Sequence, residues 1–161
     1  MSRNGTSGDG EAATPLVRRK GFVADEAVVR RVGDRDLYLG NAPAAAPDAH
    51  ERSFDFVLSA TAEELPLTTH HRPLVDGRGN EWAAFAATAD TARTLYRRDG
   101  SLLVNCKAGV SRSATLLATA IAAEESRGFR EALAIVQNGR PFAMPNPALH
   151  ELAVVYPAAR T

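Results

Sequence analysis

Apolar and polar positions follow two rhythms along this chain. Short apolar runs of strand length stand at "RDLYLGN" (35–41), "FDFVLSA" (54–60) and "SLLVNC" (101–106). Each is bounded by polar or turn-forming residues, the pattern of strands set in a sheet. "HRPLVDGRGN" (71–80) reads as a further short strand running into a glycine-bearing turn. Elsewhere the period is helical. Trp82, Phe85, Ala89, Ala92 and Tyr96 recur on one face, with Asn80 as the expected N-cap and Gly100 as the stop. "SATLLATAIAAEES" (113–126) is apolar around most of its circumference, which predicts a helix buried in the middle of the domain. Two more helices are expected over about 129–138, ending at Gly139, and about 147–156. Strands interleaved with helices in this order predict one α/β domain over residues 28–157. Its centre should be a mostly parallel twisted sheet of about four to five strands, flanked by helices on both faces. Residues 1–20 are rich in Gly, Ser, Thr and charge, and predict a mobile polar tail.

Composition narrows the function classes. A length of 161 residues suits a single domain with a real core. Nineteen basic residues balance nineteen acidic ones, so no global field draws the chain to nucleic acid or an anionic membrane; any anion preference must be local. No apolar stretch reaches bilayer-spanning length, and the first residues lack the apolar core of a secretory signal. One cysteine forms no internal disulfide, and no Cys/His grouping has the spacing of a structural zinc site. The expectation is a cytoplasmic, monomeric protein without metal or cofactor, and without nucleic-acid or membrane partners. Lysine occurs only at Lys20 and Lys107 among many arginines, which makes a lysine directly after the cysteine conspicuous.

That cysteine lies in "LLVNCKAGVSRSATLL" (102–117), which reads as strand, tight loop and buried helix. In such a loop the backbone N–H groups of Lys107, Ala108, Gly109, Val110, Ser111 and Arg112 can turn inward. Together with the positive end of the helix dipole they form a concave site that suits phosphate. Ala108 and Gly109 keep the turn free of bulk, and the Arg112 guanidinium can grip two phosphate oxygens. A free thiol is only a few per cent thiolate at neutral pH, and shifting that balance by about three pH units takes roughly 4 kcal/mol. A helix terminus supplies about 0.3–2 kcal/mol of it. The N–H groups and Arg112 must supply the rest, and Ser113 can donate a hydrogen bond to the sulfur.

"CKAGVSRS" resembles the Cys-x5-Arg-Ser/Thr P-loop signature of the protein tyrosine phosphatase superfamily, and "AGVSRSAT" is most similar to its dual-specificity branch. "DLYLGNAPAA" (36–45) is similar to the segment that opens those domains. "REALAIVQNGRPFAMPN" (130–146) resembles their stretch with an Arg-Pro followed by a Pro-Asn, so the likeness covers roughly residues 28–156. The resemblance implies hydrolysis of phosphate monoesters through a phosphocysteine, with no metal or cofactor. Cys106 is then the nucleophile, Arg112 the phosphate-binding arginine and Ser113 the hydroxyl that assists thiolate release. The implied substrate is a phosphorylated protein, carrying phosphotyrosine first and phosphoserine or phosphothreonine if the pocket is shallow.

The family draws its general acid from an aspartate on a loop about thirty residues before the cysteine. Asp76, in "VDGRGNEW", takes that place and would serve as acid, then as base toward water. Asp-Gly is also a common turn signal. Asp90 and Asp99 are weaker candidates, and Glu81 is a nearer substitute. The residue before the nucleophile is usually histidine in the superfamily; here it is Asn105, a neutral amide. Lys107 reads either as charge at the pocket mouth, as in relatives that accept highly phosphorylated or lipid-derived substrates, or as a solvated loop lysine. Arg72, Arg78 and Arg140 read as surface residues, with a basic rim around the pocket as the alternative, His70 and His71 as surface or strand-end residues, and Trp82, Phe85 and Tyr96 as core. Two rival readings stay open: a phosphatase of a phosphoinositide, phosphosugar or RNA 5′ end, and a phosphate-binding module that turns nothing over.

Overall fold

A computed structural model describes residues 25–160 of the chain, so the tail expected over residues 1–20 lies outside the described residues. Its strands are β1 (Val29–Arg31), β2 (Leu37–Gly40), β3 (Phe56–Ser59), β4 (His70–His71) and β5 (Leu102–Asn105). They form one sheet in the order β1-β2-β5-β3-β4. Only the β1–β2 pair is antiparallel; the other three pairs are parallel. β5 sits centrally between two parallel neighbours and all four of its residues are buried, which explains why it reads as an unbroken apolar run rather than an alternation.

Side-chain alternation divides the sheet into two faces. Leu37, Leu39, Leu58, Leu102 and Val104 face the main core, which they share with α1 (Trp82–Arg97), α2 (Arg112–Glu124), α3 (Phe129–Gly139) and α4 (Pro147–Ala159). Tyr38, Val57 and Leu103 face a smaller cluster with Ala44 and Ala45, which belong to a 3-10 helical turn (Ala42–Ala45). Helical structure thus covers both faces, but unequally: all four α-helices lie on one, and one 3-10 turn with its following loop closes the other. α2 packs against each of the other three helices, and its residues from Ser113 to Ala122 are all buried, as its all-round apolar pattern demands.

Two local expectations are corrected, and one strand is added. Asn80 does not cap α1: Glu81 holds the cap position and makes no side-chain cap bond. Instead the Asn80 Oδ1 accepts from the Val75 N–H (2.8 Å) and its Nδ2 donates to the carbonyls of Val75 (2.7 Å) and Gly77 (3.3 Å). An asparagine amide offers both a donor and an acceptor to nearby backbone, and here the loop rather than the helix takes them. The strand expected within 71–80 pairs only at His70–His71, although the N–H groups of Arg72 and Leu74 still reach Ser59 and Ala60 carbonyls (2.9 and 3.1 Å). β1 was not anticipated, because a three-residue edge strand carrying two exposed arginines shows no apolar alternation.

Beyond the core, the C-terminal end of α2 is tied to the sheet by charge. Both Glu125 carboxylate oxygens accept from Arg35 at 2.6 Å, one also from Arg127 at 2.9 Å, and the Tyr96 hydroxyl adds a further bond. The Arg35 hydrogen bonds hold the Glu125 carboxyl down at about 2, against a desolvation that would raise it.

Candidate active site

β5 ends at Asn105 and α2 begins at Arg112, so Cys106 opens the loop at the C-terminal end of the central strand, where an open α/β sheet offers a crevice to ligands. The thiol is 2% exposed. Its Sγ lies 3.2 Å from the Ser113 Oγ and accepts the Ser113 backbone N–H at 3.4 Å, so the first turn of α2 aims two polar groups at the sulfur.

The loop carbonyls are held from outside. Lys107 O accepts from Ala42 N at 3.1 Å, and Val110 O from Met144 N at 2.8 Å. Between them, Ala108 O accepts from Arg140 Nη2 and Gly109 O from Arg140 Nε, each at 3.2 Å. No peptide bond among the described residues is cis, and in a trans peptide the N–H of the next residue points opposite to the carbonyl. The N–H groups of Ala108, Gly109, Val110 and Ser111 therefore point to the other side of the loop. No N–H from Lys107 to Arg112 donates to a protein acceptor among the described residues. Gly109 makes the turn possible: its φ is +68°, and a Cβ there would stand 2.9 Å from the Gly40 carbonyl oxygen and 3.1 Å from the Asn41 nitrogen.

Arg112 donates from Nη1 to the carbonyls of Ala60 (3.3 Å) and Leu74 (3.2 Å), while its Nε is buried without a protein partner. A buried cationic N–H left unpaired is costly, and an incoming oxyanion would relieve it. The same arginine reaches the segment that carries Asp76, two residues beyond Leu74. Asp76 is exposed. Its backbone carbonyl accepts from the Asn146 Nδ2 at 3.3 Å, and the Asn80 amide closes the loop around it.

Asn105 is fully buried. The Ser59 hydroxyl donates to its Oδ1 at 2.6 Å and lies 2.8 Å from the Thr68 hydroxyl, while its Nδ2 donates to the Asn41 carbonyl at 3.3 Å. One neutral side chain, adjacent in sequence to Cys106 but on the other face of the sheet, thus ties the ends of β3, β5 and β2 together. Asn41 extends the brace, since its own Oδ1 accepts from the N–H groups of Val28 (2.9 Å) and Ala44 (3.3 Å). The Ser111 Oγ accepts from Asn146 N at 2.8 Å, so residues 140–146 wall the outer side of the loop.

Other candidates are placed elsewhere. Asp90 accepts from the Arg160 guanidinium (2.9 and 3.0 Å) and from the Tyr156 hydroxyl; the Arg160 bonds, with those of Tyr156, hold its carboxyl below the ordinary range and tie α1 to α4. Asp99 lines a depression with Asp36, Leu37 and Tyr96, at the start of β2 and so at the opposite end of the sheet from Cys106. Glu81, Lys107, Arg72 and Arg78 are exposed. Arg140 is the correction: instead of a surface residue it is a half-buried guanidinium bound to the loop. Burial pushes its pKa down to about 10, helped by Arg30 and opposed by the Cys106 sulfur. A cleft of about 470 Å³ opens beside Asp76, lined by Gly77, Arg78, Asn146, Pro147, Ala148 and Glu151; no residue from Cys106 to Arg112 lines it. Asn41, Ser59 and Thr68 went unassigned in the sequence because polar residues spread over distant segments show no spacing rule.

The family model described as "Dual specificity phosphatase, catalytic domain" matches residues 37–156, which include the 3-10 turn, the Asp76 loop, the Cys106 loop, α1 to α3 and most of α4. The chain belongs to the dual specificity phosphatase family. It is 39% identical to mouse dual specificity protein phosphatase 19 over 59 residues, 37% of this chain and 27% of that protein. It is 37% identical to the MAP kinase phosphatase with leucine-rich repeats protein 3 of Dictyostelium discoideum over 62 residues, 38% of this chain but 7% of that protein. The chain therefore matches only a minor part of the length of these curated relatives. The crystal structure of human DUSP28 superposes with a TM-score of 0.69 at 23% identity, covering 82% of this chain and 94% of that one, so the two share a fold. No helix among the described residues of this dual specificity phosphatase domain is long and apolar enough to cross a membrane.

Proposed function

We propose that the chain hydrolyses phosphate monoesters of phosphorylated proteins through a phosphocysteine on Cys106, with phosphotyrosine as the favoured substrate and phosphoserine or phosphothreonine accepted as well. The observation that carries the reading is the loop: four consecutive carbonyls bound from outside leave the amides of residues 108–111 without protein acceptors, around a buried sulfur. Arg112 and these amides take the three equatorial oxygens of the phosphoryl group, and the Cys106 thiolate attacks phosphorus in line with the leaving oxygen. The S–P bond forms as the P–O bond breaks, and Asp76 gives its proton to the departing alkoxide or phenoxide. Asp76 then removes a proton from water, which attacks phosphorus. Inorganic phosphate leaves, and the sulfur departs as a thiolate stabilised by the Ser113 hydroxyl and N–H. A thiolate nucleophile requires reducing surroundings, which supports a cytoplasmic location.

Turnover of p-nitrophenyl phosphate and of phosphotyrosine, phosphoserine and phosphothreonine peptides tests the proposal. Cys106→Ser removes turnover entirely, with folding intact. Asp76→Asn lowers kcat by roughly 10²–10⁴-fold and removes the fall of activity at high pH that a protonated acid imposes. Turnover that survives Cys106→Ser ends the phosphocysteine assignment.

A further inference from the structure

Arg140 lies outside the signature that identifies the loop, yet it makes more contacts to the loop backbone than any other side chain. Its fork spans two successive carbonyls, with Nε on Gly109 and Nη2 on Ala108, both at 3.2 Å. No carboxylate pairs with it: the ion pairs among the described residues involve Arg35, Arg93, Arg97, Arg127 and Arg160 only. A half-buried guanidinium facing carbonyls alone gives up hydration without the return of an ion pair, so folding stability does not account for it well.

Its own segment fixes it firmly. The Arg140 carbonyl accepts from Ala143 N at 2.8 Å, Met144 N reaches Val110 O at 2.8 Å, and Gln137 Nε2 holds the Ala143 carbonyl at 2.8 Å. The Phe142 ring sits 5.7 Å from the guanidinium carbon and covers it. The fork is therefore set in place by α3 and the turn after it, independently of what occupies the loop.

We propose that Arg140 is a positioning residue for phosphoryl transfer, whose two-pronged grip on the Ala108 and Gly109 carbonyls forces the Gly109 and Val110 amides toward the phosphoryl oxygens. Those amides belong to the same two peptide units as the gripped carbonyls, so a rotation of either unit would lose an Arg140 bond and turn an amide away together. The guanidinium also places a positive charge near the sulfur without touching substrate; burial lowers its pKa to about 10, and Cys106 opposes that shift. The inference rests on the phosphatase reading and adds to it a residue that acts through the backbone.

Arg140→Lys keeps the charge but replaces the planar fork with a single flexible ammonium, which cannot hold both carbonyls in one geometry. Arg140→Met keeps length and apolar bulk and removes both donors. We would measure kcat and KM for p-nitrophenyl phosphate, the inhibition constant of orthovanadate, and the thermal unfolding midpoint of wild type and both variants. In both variants vanadate affinity and kcat/KM should fall together by about ten- to a hundredfold, with no rescue by lysine. If Arg140→Lys stays within threefold of wild type in vanadate affinity and kcat/KM, charge rather than the fork is what matters and the proposal is overturned. A lower unfolding midpoint with unchanged vanadate affinity marks a merely structural role and overturns it too. Should Arg140→Met fail to fold, the lysine variant decides alone. A wild type that neither binds vanadate nor turns over sinks the phosphatase reading and this inference with it, whereas an active, vanadate-sensitive wild type with unaffected variants sinks the inference alone.

Discussion

Gly109→Ala tests whether the loop has the shape ascribed to it. The φ of +68° at Gly109 lies where any residue with a Cβ pays about 1–2 kcal/mol. The added carbon would also stand 2.9 Å from the Gly40 carbonyl oxygen and 3.1 Å from Asn41 N, contacts with backbone that cannot swing aside as a side chain would. Overpacking of this kind adds about 1–3 kcal/mol, for a total near 3 kcal/mol if the loop holds its shape. At about 2–4 °C per kcal/mol for a domain of this size, the melting midpoint should fall by roughly 6–12 °C. The loop has one escape: the peptide between Ala108 and Gly109 can rotate, which changes φ at residue 109 and moves the added Cβ, but breaks the Arg140 bond to Ala108 O and turns the Gly109 amide out of the cradle. Loss of one such oxyanion donor costs about 10²–10³ in kcat. Stability and turnover therefore cannot both survive. Thermal melts and steady-state kinetics on p-nitrophenyl phosphate measure the two together, and a variant that melts within about 2 °C of wild type and turns over within twofold refutes the loop geometry.

Two further substitutions probe the supports. Asn105→Ala takes one partner from the buried Ser59 hydroxyl, which keeps Thr68, and one donor from the Asn41 carbonyl, which keeps the Ala44 N–H, and should cost about 1 kcal/mol in urea unfolding while lowering kcat more than it raises KM, because the brace joins the strand that carries the proposed nucleophile to its neighbours and lies outside the substrate's path; equal effects on both, or none, would refute a role in positioning Cys106. Glu125→Gln addresses acid stability: with the folded carboxyl held at about 2 and its ordinary value at 4.5, the ion pair with Arg35 contributes fully above about 4.5 and fades as pH falls from there toward 2. After allowance for solvent screening this is worth roughly 1–2 kcal/mol, so the variant should be less stable than wild type at pH 7 and indistinguishable from it near pH 2 in urea titrations; a gap that persists at pH 2 would refute the electrostatic account.

What the sequence disclosed and what it withheld divide along one physical line. Buried strands and helices are written in apolar periods, because each must hide a face locally, so β2, β3, β5 and all four helices were readable, and α2's burial followed from an apolar surface with no polar side. The Cys106 loop was readable for a related reason: its chemistry is compressed into eight consecutive positions, where small residues, an arginine and a hydroxyl have no packing motive for that order. The supports of that loop are different in kind. Asn41, Ser59, Asn105 and Arg140 come from four segments and act by pairing single polar atoms with backbone, and a hydrogen bond between distant segments leaves no period behind. Asn105 could be noticed only as a departure from the histidine of its family, not as the hub of a brace. Arg140 showed only as the Arg-Pro of a family-like stretch, and neither its charge nor that stretch distinguishes a guanidinium that holds the loop's carbonyls from one that faces water. Asn80 failed in the opposite direction: a good cap residue stood one position before the cap that Glu81 holds, and its amide is taken by the Val75 N–H and the carbonyls of Val75 and Gly77. A local rule names what a side chain can bond, and the fold decides which of the available partners arrives first.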